Sequence, residues 1–159
     1  VKEILAQSSN VGAIKVGQKL GAERFDQWVR RFGFGKKTGV DLPGEETGQV
    51  LDLDKYSGSS MGNLPIGQGE SVTPMQLAQI TARMAMRGEG FKPHLVKATQ
   101  DPLTLETTDV PLEPLPPILN KHKADWETVV EAMQRAAQAM ERGESGEEHG
   151  ATKRRVNRA

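Results

Sequence analysis

Two helices are predicted in the first third of the chain. Apolar positions in residues 10–20 predict a helix that Asn10 could cap and Gly21 would end. Residues 22–32 predict a second helix, because four apolar side chains fall at i, i+3, i+4 and i+7: Phe25, Trp28, Val29 and Phe32. The stripe would face a core, and the glycines that follow would end the helix.

A third helix is predicted after a long irregular stretch. Residues 33–72 carry most of the turn signals, with an extended piece and a turn over 39–44 and an irregular segment over 51–69. Thr73 and Pro74 then supply an N-cap and a proline at the first helical position. Gly88 would end this helix. Its buried face is expected to carry three side chains: Leu77, Ile80 and Met84.

The second half of the chain predicts one short strand and one more helix. Residues 95–99 indicate the strand, and the proline-rich residues 100–120 indicate a surface connection. Asp125 could cap a fourth helix that runs to about residue 140. One side of that helix collects the apolar residues Trp126, Val129, Val130, Met133 and Ala137. Residues 1–140 are therefore expected to form one partial domain. The charged residues 141–159 are expected to be a tail, disordered unless something binds it.

Composition narrows the class of protein. Apolar residues make up 36% of the 159 residues, which supports only a modest core, and the formal net charge of zero favours no nucleic acid partner. There is no cysteine, so disulfides and thiolate metal sites are excluded. No apolar run approaches the ~20 residues that cross a bilayer. The start at Val1, within a patterned segment and without Met, predicts an internal piece of a longer protein.

The candidate chemistry lies at Ser8 and Asn10, directly ahead of the first predicted helix. A hydroxyl and a carboxamide two residues apart can point into one cleft, where one moves a proton and the other holds a substrate amide. That pairing is typical of acyl-transfer sites that also use a nucleophilic serine with a nearby lysine. The chain contains no Ser-x-x-Lys sequence, so we expect only part of an active site. The alternative is an ordinary helix cap, because Ser and Asn are both preferred there.

Six short segments lie in order over roughly residues 5–95: Gln7-Ser-Ser-Asn-Val-Gly12, Arg31-Phe-Gly-Phe-Gly35, Thr38-Gly-Val-Asp-Leu-Pro-Gly-Glu45, Tyr56-Ser-Gly-Ser-Ser-Met-Gly62, Pro65-Ile-Gly-Gln-Gly69 and Val72-Thr-Pro-Met-Gln-Leu-Ala78. A seventh short segment, Lys92-Pro-His-Leu95, follows them. Together these segments resemble the transpeptidase domain of class B penicillin-binding proteins, which cross-link peptidoglycan.

The resemblance implies an α/β fold shared with serine β-lactamases, of which this chain would be a mostly helical fragment with most sheet strands missing. It implies that Ser8 relays a proton and that Asn10 donates its amide to the donor carbonyl, whereas Ser9 has no chemical role. It implies no metal or organic cofactor. The implied partners are peptidoglycan stem peptides, β-lactams in the parent protein, and an elongation or division complex at the extracytoplasmic face of the cell membrane.

The chain departs from the family pattern in two ways. The nucleophile motif should precede residue 1, and the third motif, Lys-Ser/Thr-Gly, should follow the fourth helix, where the charged tail stands instead. A truncated reading frame or a frameshift near residue 137 would explain the second departure. Lys37-Thr38-Gly39 spells the third motif, but it comes too soon after Asn10 and lacks an edge strand, so we assign it no catalytic role.

Other functions remain open from the sequence. The chain could be a non-catalytic helical module that binds a partner through exposed apolar faces. It could also derive from a related D-Ala-D-Ala carboxypeptidase or β-lactamase. The three histidines have no metal-ligand spacing, and the two tryptophans lie on apolar helix stripes, which favours the core.

Overall fold

The computed structural model describes residues 1–119 and 123–141, and in that part of the chain it is mostly helical. The strands β1 (Ala98–Gln100) and β2 (Thr107–Asp109) form a two-stranded antiparallel hairpin, with Ala98 opposite Asp109. Residues 53–55 and 64–66 form 3₁₀ turns. The helices are α1 (Lys2–Ala6), α2 (Asn10–Leu20), α3 (Ala22–Phe32), α4 (Ser60–Asn63), α5 (Pro74–Ala85) and α6 (Lys123–Glu141).

The first two predicted helices are confirmed as α2 and α3. Gly21 separates them with a φ of 82°, and Gly33 ends α3 in the left-handed conformation with a φ of 97°. Both conformations favour glycine, which has no Cβ to clash with the backbone. The predicted cap of α2 is wrong, because Ser9 caps the helix and Asn10 is already its first residue. The sequence pattern did not predict α1.

Helix α5 begins as predicted, but its buried face differs. Thr73 and Gln76 form a reciprocal capping box, and the helix ends at Ala85, ahead of Gly88. Ile80 is buried as expected, whereas Leu77 is 49% exposed. The position next to Leu77 is the buried one: Gln76 donates from Nε2 to the carbonyls of Lys36 and Thr47, at 2.8 Å each. This face is partly polar because it satisfies loop carbonyls that would otherwise be unpaired.

The segment between α3 and α5 is more ordered than its irregular pattern predicts. An isolated antiparallel bridge joins Gln49 to Ser71, with N–H···O distances of 2.7 and 2.8 Å. A Cβ at Gly48 would lie 2.4 Å from the Ser71 carbonyl oxygen, so the close approach of the two segments requires glycine at this position.

The second half of the chain differs from the predictions in four ways. The strand lies at β1 rather than at 95–99, and the expected surface connection contains β2 and Ile118, whose side chain is only 1% exposed. Helix α6 begins at Lys123, so Asp125 lies inside its first turn and not at a cap. On the side of α6 that was expected to be apolar, Trp126 is buried, but Met133 is 39% exposed and Ala137 is also exposed. The predicted tail from residue 142 onward lies outside the described residues.

The core lies where α3, α5 and α6 meet. Ile80, Ile118 and Trp126 form its buried centre. Five partly buried side chains pack against this cluster: Trp28, Phe32, Phe34, Met84 and Leu119. The prediction that both tryptophans belong to the core is confirmed. Within the described ranges, no helix has both the length and the apolar character that crossing a membrane requires.

Candidate functional site

Ser8 and Asn10 lie on either side of the junction between α1 and α2. Ser8 has a φ of 50°, in the left-handed region that serine rarely adopts. Asn10 begins α2, and the side chains of both residues are exposed to solvent. The structure therefore brings the two predicted site residues to one exposed turn.

Ser9, between them, holds the turn in place. Its Oγ accepts a hydrogen bond from the backbone N–H of Gly12 at 3.2 Å, which caps α2. Its own backbone N–H donates to the carbonyl of Ile4 in α1 at 2.9 Å. Because Ser9 supplies the cap, the side chains of Ser8 and Asn10 are not needed for it.

Long-range contacts fix the two helices that meet at this turn. An ion pair joins Lys2 of α1 to Glu131 of α6, and the hydrogen bond from Lys2 lowers the pKa of the Glu131 carboxyl. A Cβ at Gly17 of α2 would lie 2.3 Å from Cγ of Pro65, so α2 also packs closely against the 3₁₀ turn at 64–66. The turn is thus held by parts of the chain far away in sequence.

A cavity of about 280 Å³ lies elsewhere, between the 39–41 turn and the segments around residues 92 and 111. Its charged and polar lining includes Asp41, Lys92, His94 and Glu113, and Lys92 and Glu113 form an ion pair at 3.2 Å. Neither Ser8 nor Asn10 lines it. The candidate site is therefore an open surface turn within the described residues, and the cavity is separate from it.

Thr38, in the rejected Lys37-Thr38-Gly39 sequence, has an occupied hydroxyl. Its Oγ1 donates to Glu45 at 2.5 Å, and the same carboxylate accepts from the backbone N–H groups of Thr38 at 2.6 Å and Gly39 at 3.0 Å. Partial burial opposes the charge of Glu45, but these hydrogen bonds keep its pKa below the ordinary value. The geometry gives this threonine a structural role in the turn.

A partly buried cluster of polar side chains, which the sequence pattern did not reveal, surrounds Arg30. Its guanidinium donates to Asp26 at 3.3 Å and to Asp52 at 3.1 Å. Nearby, Tyr56 Oη and Glu70 Oε1 are buried without a hydrogen-bond partner among the described residues. Burial raises the pKa of Tyr56 and also that of Glu70. These residues are scattered over 45 positions, so no local spacing could have indicated the cluster.

A comparison with protein families assigns the chain to one of them. The family model for the penicillin-binding protein transpeptidase domain matches residues 1–154. The chain belongs to this family. The resemblance to the transpeptidase domain of class B penicillin-binding proteins is confirmed, and so is the fold class of a mostly helical part of the transpeptidase fold.

Individual relatives agree with the family. The penicillin-binding protein PbpB of Mycolicibacterium smegmatis is 43% identical over 99 residues, which is 62% of this chain and 15% of PbpB. The peptidoglycan D,D-transpeptidase MrdA of Acinetobacter baumannii is 33% identical over 127 residues, covering 74% of this chain and 19% of MrdA. The crystal structure of penicillin-binding protein 3 from Mycobacterium tuberculosis, complexed with aztreonam, superposes with a TM-score of 0.71 at 34% identity. That match covers 85% of this chain and 29% of the other.

The chain therefore spans less than a fifth of the length of these two curated relatives. Membership of the family does not assign chemistry to individual side chains. The catalytic roles of Ser8 and Asn10 and the domain boundary at residue 140 stay predictions.

Proposed function

We propose that this chain forms one wall of the active site in a longer peptidoglycan D,D-transpeptidase of the penicillin-binding protein family. The match of the transpeptidase family model to residues 1–154 carries the proposal, since it includes the turn with Ser8 and Asn10. The names of PbpB and MrdA support penicillin binding and peptidoglycan cross-linking as the activities of the longer protein. We propose further that the longer protein acts at the extracytoplasmic face of the membrane, in an elongation or division complex.

The reaction is an acyl transfer in two steps. A serine hydroxyl elsewhere in the longer protein, activated by a lysine, adds to the carbonyl of the penultimate D-Ala of a stem peptide. The peptide bond breaks, the terminal D-Ala leaves with a proton, and an acyl-enzyme remains. The amine of a second stem peptide then attacks the ester, forms the cross-link and releases the serine. A β-lactam would acylate the same serine through its strained amide.

Ser8 and Asn10 act on different groups in this reaction: Ser8 on the transferred proton and Asn10 on the carbonyl of the donor peptide. The Ser8 hydroxyl both donates and accepts a hydrogen bond, so it can pass a proton between the lysine, the nucleophile and the leaving amine. The Asn10 amide donates to the carbonyl of the donor peptide and orients it for attack. Their exposure supports this assignment, because a substrate can reach both side chains. The left-handed Ser8 supports it as well, since backbone strain concentrates at functional sites.

A hybrid enzyme tests the proposal. In PbpB of M. smegmatis, the segment that aligns with this chain is replaced by the aligned residues of this chain, and acylation by a fluorescent penicillin is followed over time. We expect the hybrid to be acylated, and Ser8→Ala or Asn10→Ala to slow acylation by roughly 10²–10³-fold. Ser71→Ala and Asn63→Ala are the matched controls, since both residues are exposed and lie outside the turn.

Two outcomes would contradict the proposal. If Ser8→Ala and Asn10→Ala hybrids were acylated as fast as the two controls, neither side chain would have a catalytic role, and a non-catalytic helical module would be favoured. If the 159-residue chain alone formed a covalent penicillin adduct, the nucleophile would lie within it. We expect no adduct, because the chain contains no Ser-x-x-Lys sequence.

A further inference from the structure

We propose that Gly12 is a positioning residue, whose missing side chain lets α2 lie against Ile4 of α1 and so sets the turn that presents Ser8 and Asn10. The inference rests on the proposed function for its consequence in catalysis. The structural part of the inference, that Gly12 sets the turn, does not depend on the proposed function.

The contact at Gly12 leaves no room for a methyl group. A Cβ built there would lie 2.8 Å from both Cγ1 and Cγ2 of Ile4, and 3.1 Å from its Cδ1. Isoleucine branches at Cβ, so its two γ carbons are close to the backbone and have one strongly preferred rotamer in a helix. Ile4 cannot move aside as the end of a long side chain could, and a methyl at position 12 has to separate the two helices.

The same two residues are joined through Ser9. The backbone N–H of Ser9 donates to the Ile4 carbonyl at 2.9 Å, and its Oγ accepts from the N–H of Gly12 at 3.2 Å. Ile4, Ser9 and Gly12 therefore form a closed set of contacts around the junction. Ser8 lies between the joined residues, is exposed, and donates its own backbone N–H to the Leu5 carbonyl at 3.1 Å, so a change in this set of contacts acts on its left-handed backbone.

The position of Gly12 inside a helix supports this reading. Alanine is a better helix former than glycine, so glycine within α2 needs a reason other than local conformation. Its close approach to Ile4 is such a reason. By contrast, a Cβ at Gly62 in α4 would meet no atom within 4 Å, which makes Gly62→Ala the matched control.

The test uses Gly12→Ala together with a rescue variant, Gly12→Ala/Ile4→Ala, which removes all three carbons that the methyl would meet. In the 159-residue chain, two-dimensional amide spectra report the turn directly. We expect the resonances of Ser8, Ser9 and Asn10 to shift in Gly12→Ala and to return toward their original positions in the double variant. Gly62→Ala should leave these three resonances unchanged. A Gly12→Ala spectrum with an unchanged turn would overturn the inference.

The hybrid enzyme tests the consequence for catalysis. We expect Gly12→Ala to lower the acylation rate at saturating penicillin roughly 10- to 100-fold, because misplaced catalytic groups lose rate. The concentration for half-maximal rate should change little, and Ile4→Ala should restore most of the loss. A loss that Ile4→Ala does not reverse would contradict the positioning role.

The failure of this inference is distinguishable from that of the proposed function. If Ser8→Ala and Asn10→Ala slow acylation but Gly12→Ala does not, only the positioning role fails. If neither of the two site variants slows acylation, the proposed roles fail, and the amide spectra still decide whether Gly12 sets the turn.

Discussion

The three consecutive residues Ser8, Ser9 and Asn10 share one local preference but have different positions in the turn. All three are residue types that cap helices well, so the sequence could not decide which one caps α2. The structure assigns the cap to Ser9, whose Oγ accepts from Gly12. The middle residue, for which no chemical role was expected, therefore supports the two residues on either side.

The left-handed conformation of Ser8 predicts that glycine at this position would make the folded chain more stable. Because a Cβ is unfavourable at a φ of 50°, Ser8→Gly should raise the free energy of unfolding, by up to about 1 kcal/mol. The greater freedom of glycine in the unfolded chain reduces the gain. Ser8→Ala keeps the Cβ and should leave stability nearly unchanged. Urea unfolding of the two variants measures the difference, and a Ser8→Gly variant no more stable than Ser8→Ala would contradict the prediction.

At the scale of elements, the sequence predicted helices better than anything else. The bounds of α2 and α3 were right because Gly21 and Gly33 interrupt a clear apolar spacing. The hairpin was missed because its strands have three residues each, Ala98-Thr-Gln100 and Thr107-Thr-Asp109, too few and too polar to show alternation. Helix bounds follow from local signals, whereas a short exposed hairpin depends on pairing that local patterns do not report.

The buried face of α5 was wrong for a different reason. Leu77 was expected inside on hydrophobic spacing, yet Gln76 is buried because it pairs with the carbonyls of Lys36 and Thr47. Its partners lie 40 and 29 residues away along the chain. A polar side chain that satisfies a distant loop gives no signal in the sequence pattern.

Asp41 joins the 39–44 turn to the segment ahead of β1, and this link predicts a dependence on pH. Its carboxylate accepts from the backbone N–H groups of Leu95 at 2.7 Å and Val96 at 3.3 Å. The bond from Leu95 contributes most, and both bonds lower the pKa of Asp41 below its ordinary value of 3.8. For an acid whose pKa is lowered by folding, the stabilisation is complete above the ordinary value and is lost as pH falls through the folded-state value.

We therefore expect the amide resonances of Leu95 and Val96 to shift in an acid titration with a midpoint below pH 3.8. The Asp41→Asn variant, which cannot ionise, should lack this transition and serves as the control. A midpoint at or above the ordinary value would show that the two hydrogen bonds do not hold the carboxylate in solution.

At the scale of the whole molecule, the core joins segments that are distant in sequence and is small. Its buried centre consists of Ile80, Ile118 and Trp126, whereas large apolar side chains such as Val11 and Leu103 are 64% and 91% exposed. Such exposure is consistent with a chain that covers 29% of the solved relative, since the rest of a transpeptidase domain would cover part of this surface. The candidate site is incomplete for the same reason, because the nucleophile and lysine proposed to complete it lie outside the chain.

The packing of α6 on the end of α5 depends on one glycine. A Cβ at Gly88 would lie 2.6 Å from Cζ2 of the buried Trp126 ring, and its φ of 89° is unfavourable for other residues. Gly67 has a similar φ of 81° but open space around it, so Gly67→Ala isolates the conformational cost. We expect Gly67→Ala to destabilise by about 1–2 kcal/mol, and Gly88→Ala by roughly 1–3 kcal/mol more, because the methyl also overpacks the core.

Urea unfolding followed by tryptophan fluorescence measures both variants. The emission of Trp126 should also change in the folded state of Gly88→Ala, because the ring must move to admit the methyl. Equal losses in the two variants, with unchanged emission, would mean that α6 does not pack on Gly88 in solution. Within the described residues, Trp126 is the buried aromatic ring that α6 contributes to the core. The predicted difference in stability between the two variants therefore tests how this ring packs.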